Sequence, residues 1–249
     1  MNDESVRQEE RAAAMDQDDQ SRARALLAKV RAGVPRERLE VLALCGHPDA
    51  LLALERQDHL AVLRARIPGF MCPSFAHDRF LPGHDRWLDD LAWWGPEPAV
   101  AAALGAAQVA EAHWLQKAAK MRGLTVTATM ASGEERTVPL GDLQRRTLAR
   151  FLGEVPAPVL ILDAVRAWVA CPCQEHVKGA SFTLSRHPAP ACRWAISTAL
   201  VVRHAGKDHR SSPHVSQAVS AAAGECGDLD RPRRAAVDAV VRWASAGLT

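Results

Sequence analysis

Leu162-Asp163-Ala164-Val165-Arg166-Ala167-Trp168 returns, 75 residues later, as Val237-Asp238-Ala239-Val240-Val241-Arg242-Trp243. An Asp-Ala-Val core, a Trp five residues after the Asp, and a proline upstream (Pro156 or Pro158; Pro232) recur in both copies. In the second copy Val237, Val240, Val241 and Ala244 fall on one face at helical spacing. A recurring helix of this kind marks arrays in which each helix pair hides its apolar face against the next. The repeat therefore predicts an all-α fold of stacked antiparallel helix pairs, a helical repeat or bundle.

Composition points the same way. The 249 residues are 48% hydrophobic, enough to bury a core and to exclude a disordered chain. The apolar class is mostly Ala, Leu and Val, with 7 Trp, 5 Phe and no Tyr. Ala and Leu favour helices and let helix axes approach closely. The 6 cysteines do not make a disulfide framework in a chain of this length. The acidic start, with no apolar segment after it, does not read as a signal peptide, and no run of about 18 apolar residues offers a membrane span. A cytoplasmic protein is expected.

Charge is unevenly placed. Residues 1–20 hold Asp3, Glu4, Glu9, Glu10, Asp16, Asp18 and Asp19 against Arg7 and Arg11, about −5, whereas the whole chain carries +2. An acidic leader thus precedes a mildly basic body. The chain has no Lys/Arg-dense stripe, and its aromatics are not interleaved with basic residues, so nucleic-acid binding is not expected. Phosphate loops, dinucleotide fingerprints and nucleophile elbows are missing from the sequence.

Gly and Pro divide the chain. Residues 1–66 read as an N-terminal helical unit with the acidic leader, its helices broken near Gly33-Val34-Pro35 and Gly46-His47-Pro48. Residues 67–94 read as a Pro- and aromatic-rich connector, and 95–249 as the helical-repeat domain. Gly95-Pro96-Glu97 opens a long Ala-rich helix, with Pro96 near its first position. Residues 124–139 alternate as Thr-Val-Thr-Ala-Thr-Met, turn, and Arg-Thr-Val-Pro-Leu, which predicts a short β-hairpin-like insert. Helices are expected again near 140–152, 156–170, 173–186, 189–205, 212–224 and 231–247. Asp230 stands where the N-cap of the last one belongs.

Trp94-Gly95-Pro96-Glu97 before an Ala-rich helix, and Asp230-Arg231-Pro232-Arg233-Arg234-Ala235 before a Trp-ended one, resemble the helical immunity proteins of bacterial polymorphic toxin systems. Ala170-Cys171-Pro172-Cys173-Gln174-Glu175-His176 is similar to the Cys-Pro-Cys/Ser turn that follows another helix in that group. The resemblance runs over about residues 90–247, apart from the insert. It implies a cytoplasmic protein that neutralises a cognate toxin by binding it, with no cofactor and no chemistry of its own.

Four groups of residues are candidates for function. Trp87, Trp93 and Trp94 cluster within eight residues; three indoles so close do not easily all face inward, so they mark a candidate partner surface. Arg231, Arg233 and Arg234 would recognise a carboxylate or phosphate at a helix N-terminus, unless they pair with Glu225 and Asp228. Cys171, Cys173 and His176 bring two thiols and an imidazole together, ligands zinc accepts, although a fourth would have to come through the fold. His77-Asp78 and His84-Asp85 are His-Asp doublets of the kind that hold metal in helical phosphohydrolases, with His59, Asp89 and Asp90 nearby. The leading expectation is a non-enzymatic protein–protein interaction module, immunity-like or an accessory subunit of a bacterial assembly. The alternative is a metal-dependent helical hydrolase using the doublets.

Overall fold

The computed structural model describes residues 7–8, 18–67, 86–122, 125–129, 135–139, 157–186, 193–205 and 214–248. These form helices α1 (Asp19–Arg31), α2 (Arg36–Leu44), α3 (Pro48–Ala53), α4 (His59–Arg66) and α5 (Arg86–Asp90), then a 3-10 turn (Leu91–Trp94) and the long α6 (Pro96–Arg122). After it come β1 (Thr125–Thr129) and β2 (Glu135–Pro139), antiparallel, with Thr125 opposite Pro139 and Thr129 opposite Glu135. Then follow α7 (Ala157–Ala170), α8 (Gln174–Arg186), α9 (Arg193–His204), α10 (His214–Cys226) and α11 (Asp230–Ser245). The helix expected at 140–152 lies outside the described residues, as does most of the acidic leader.

The helix ends are chemically explicit. Asp18 Oδ1 accepts the Gln20 N–H at the start of α1, and Asp58 Oδ1 accepts the Ala61 N–H at the start of α4. Helix α2 closes with the Gly46 N–H on Ala43 O and the His47 N–H on Leu42 O, while Gly46 sits at φ 85°, a backbone state that glycine adopts freely. At α11 the N-cap position falls on Leu229 rather than the expected Asp230, and the carboxylate that caps the helix comes from Asp228. Its Oδ1 accepts the N–H groups of Asp230 (2.9 Å) and Arg231 (3.3 Å), and this leaves Asp230 as the first helical residue.

Helix α6 organises the rest. From Pro98 to Ala107 every residue except Ala101 is buried, a stretch without one charged side chain. A helix that is apolar all round has to be enclosed by others. Helices α7, α9, α10 and α11 all pack on it. This corrects the expected stack of helix pairs, in which each pair would touch only its neighbours. The two copies of the repeated helix, α7 and α11, are both laid against one central helix, and they bury the same position, Val165 and Val240, at 0% exposure. Burying one such side chain stabilises by roughly 1.5–3 kcal/mol.

Helices α6 and α11 approach each other closely. Pro232, Ala236, Val240 and Ala244 form an i, i+4 ridge of buried residues on α11. At Gly105 on α6 a Cβ would stand 2.5 Å from the Ala235 carbonyl oxygen and 2.7 Å from the Ala239 Cβ. Only glycine fits.

The N-terminal helices join the same core, because α2 lies on both α11 and the 3-10 turn. Arg38 Nη1 donates to the carbonyls of Trp243 (2.7 Å) and Ala246 (2.6 Å), and its guanidinium lies 4.9 Å from the centre of the Trp243 ring. Lys29 Nζ donates to Leu248 O at 2.9 Å. Two cations from the start of the chain therefore satisfy carbonyls at and just past the end of the last helix, where the helix dipole favours positive charge.

Two glycine substitutions test this geometry in opposite directions. Gly105→Ala should lower stability by about 1–3 kcal/mol through overpacking. Gly179→Ala, inside α8 with nothing within 4 Å of its Cβ position, should raise stability by about 0.4–1 kcal/mol. Denaturant midpoints measure both. Equal effects at the two sites would contradict the close crossing.

Candidate functional site

The tryptophan cluster is mostly interior. Trp87 and Trp94 are buried, Trp93 is half-buried, and the 3-10 turn that carries two of them is held by the N-terminal helices. Trp94 Nε1 donates to Glu40 Oε2 at 2.9 Å, and Arg66 Nε donates to the Trp93 carbonyl at 3.1 Å. Glu40 also receives Arg36 at 3.1 Å and Arg66 at 3.8 Å. Trp87 and Trp94 thus do not offer the partner surface expected of them; their rings bury more apolar area inward than any other side chain would. Nothing in the sequence marked Glu40 as the partner of Trp94, because it lies 54 residues away.

Asp89, once a neighbour of the candidate metal doublets, ties α5 to α10. Its Oδ1 accepts the Ser216 N–H at 3.0 Å and its Oδ2 accepts the Ser216 hydroxyl at 2.7 Å. It thereby caps an N–H in the first turn of α10 from a distant part of the chain. Burial pushes its carboxyl above the usual aspartate range, against the lowering effect of the Ser216 hydrogen bonds. His77, Asp78, His84 and Asp85 lie outside the described residues.

The arginine group divides. Arg231 and Arg234 are exposed on the first turns of α11, while Arg233 is half-buried and meets Asp230 at 3.4 Å. Glu225 and Asp228, the acids expected beside the arginines, are each engaged with other groups. Asp228 is spent on the helix cap, and Glu225 faces α6, where its Oε1 lies 3.8 Å from both His113 Nδ1 and Lys117 Nζ.

The corner between α7 and α8 carries the densest chemistry among the described residues. The Cys171 N–H still bonds the α7 carbonyls of Ala167 and Trp168. Pro172 then centres a tight turn, closed by the Cys173 N–H on Cys171 O at 2.8 Å. Cys173 is the residue before α8, the N-cap position where an oxygen side chain is usual, and His176 lies three residues on, the spacing of a capping box. His176 Nδ1 is 2.9 Å from Cys171 O and 3.2 Å from Cys173 Sγ. Since the carbonyl can only accept, Nδ1 carries the proton in this arrangement. The Cys171 and Cys173 sulfurs and a His176 ring nitrogen all lie within 4.8 Å of one another.

The electrostatics follow from that corner. The backbone N–H of His176, with the Cys171 thiol, holds the Cys173 thiol below the ordinary cysteine range. The Cys171 thiol goes up, because it donates to Cys173 and would share charge with it. His176 is raised by its bond to the Cys171 carbonyl. By contrast, burial pushes Cys45 up to about 12, an inert thiol packed against the core. One further exposed feature follows the site: Phe182 on α8 is 57% exposed, with the Arg186 guanidinium 4.6 Å from its ring centre.

No protein-family model matches this chain, and no match is found among the curated proteins or the solved structures.

Asp89 sets a pH expectation whose sign is opposite to the usual carboxylate. Its raised value means that the folded chain takes up the proton before the unfolded chain does. Its contribution to stability is therefore full below the ordinary aspartate range and is lost as pH rises through the raised value. Asp89→Asn copies the protonated shape and should hold or raise stability at neutral pH, whereas Asp89→Ala should cost about 1–2 kcal/mol. Urea midpoints from neutral pH down to the carboxylate range measure this. A large loss in the Asn variant at neutral pH would contradict it.

Proposed function

We propose that this chain acts by binding another protein, in the way expected of the helical immunity proteins it resembles, through the Arg231 and Arg234 face of α11. What carries this reading is the exposure of both arginines at a helix start that Asp228 already caps. Positive charge near a helix N-terminus opposes the macrodipole and typically costs 0.3–1 kcal/mol. Two guanidinium groups placed there serve recognition better than they serve the fold. Their planar forks suit carboxylates, so the partner is a protein with an acidic surface.

The polar groups of the interior support the same reading. Glu40 holds Trp94, Glu111 holds Arg166, Asp49 holds Arg22 and Asp89 holds Ser216. Each of these carboxylates fastens one helix to another instead of converging on a cleft, as general acid–base chemistry would require.

Affinity capture with the tagged full chain from its source cells, with mass spectrometry of stoichiometric partners, tests this directly. One dominant acidic partner is expected, lost at high salt and lost in the Arg231→Ala/Arg234→Ala double variant, whose melting temperature stays level or rises. Absence of any stoichiometric partner, or capture indifferent to both salt and the double variant, would overturn the proposal.

A further inference from the structure

We propose that Cys171, Cys173 and His176 form a binding site for a zinc-type metal ion at the α7–α8 corner, independent of the arginine face. The inference rests on backbone geometry that already gathers the ligands. Helix α7 delivers Cys171, the Pro172 turn reverses the chain within one residue, and Cys173 and His176 share the first turn of α8. The three ligand atoms lie within 4.8 Å of one another. A tetrahedral ion with Zn–S bonds of about 2.3 Å needs its sulfurs about 3.8 Å apart. With the ligand atoms already inside 4.8 Å, at most about 1 Å of side-chain movement brings the sulfurs to that separation.

The donor set selects the ion. Two thiolates and an imidazole suit soft and borderline metals and leave Mg2+ and Ca2+ without the oxygen ligands they require. Cys171 is exposed and the other two are half-exposed, so an ion reaches the site from solvent. Binding is balanced as one divalent ion taken up and two thiol protons released. The His176 proton moves from Nδ1 to Nε2, and the hydrogen bond from Nδ1 to the Cys171 carbonyl gives way to a metal bond. Among the described residues three ligands are gathered, which leaves the fourth position of a tetrahedral ion for a further donor or water.

The His176 ring is held at the corner by Cys171 O at 2.9 Å, and that hydrogen bond is exchanged for the metal bond when an ion arrives. The second helical copy ends in Trp243-Ala244-Ser245 and has no cysteine or histidine there, so the site is particular to the first copy and not a by-product of the repeat.

The test uses the full chain, reduced and stripped with a chelator, titrated with Co2+ and then Zn2+. One equivalent of Co2+ should give a thiolate-to-cobalt charge-transfer band in the near ultraviolet and strong d–d absorption in the red, both displaced by Zn2+. Cys171→Ser and His176→Ala should each weaken Zn2+ binding by more than the roughly 10–100-fold that outer-shell partners cost. Cys173→Ser keeps a capping oxygen at the start of α8, so it should lose the metal while retaining the helical circular dichroism. Cys45→Ser with Cys226→Ser should bind as the parent does. No cobalt–thiolate band, or a band that survives Cys171→Ser combined with Cys173→Ser, would overturn the proposal.

Discussion

Everything in this fold depends on how closely α11 can lie on α6, and that distance is set at Gly105. There the Ala235 carbonyl and the Ala239 methyl occupy the space any side chain would need. With the two axes this close, the i, i+4 ridge of α11 is buried along its length and its C-terminal end arrives at α2. Arg38 and Lys29 can then reach the carbonyls of Trp243, Ala246 and Leu248. A wider crossing would leave those carbonyls to water and separate the N-terminal helices from the core.

A core built from alanine has a second consequence. Small side chains pack tightly but bury little area each, so helix-to-helix polar ties carry a larger share of specificity. Thr198, fully buried, turns its hydroxyl to the Trp194 carbonyl of its own helix at 2.7 Å. Asp89, Glu40, Glu111 and Asp49 each join elements far apart in sequence. With these four carboxylates tied between helices, the groups proposed for function lie at the surface: the arginines of α11 and the thiol–imidazole corner before α8.

The all-helical character was legible because Gly, Pro and Asp punctuate the sequence where helices start and stop. The break at Gly33-Val34-Pro35 and the break at Gly46-His47-Pro48 bracket α2, and Pro96 opens α6 as its position implies. The arrangement was not legible from the repeat. Two similar helices need only share a packing surface, and α7 and α11 share α6. The overlooked signal was the uncharged run Pro98–Ala107, whose lack of a polar face requires neighbours on every side. Site legibility was uneven for the same reason. Cys171, Cys173 and His176 lie within six residues, so local geometry brings them together. Trp94 with Glu40 and Asp89 with Ser216 are long-range pairs, and no local pattern encodes them.

Native-state hydrogen exchange measures the central claim, that the α6–α11 crossing is the element on which the others are hung. The amides of α6 from Ala99 to Ala110 and those of α11 from Ala236 to Ala244 should be the most protected, exchanging together at the free energy of global unfolding. Helices α8 and α1 should open at lower cost. If α6 and α11 exchange by local opening while α1–α4 stay protected, the crossing is not the organising contact and the account is wrong.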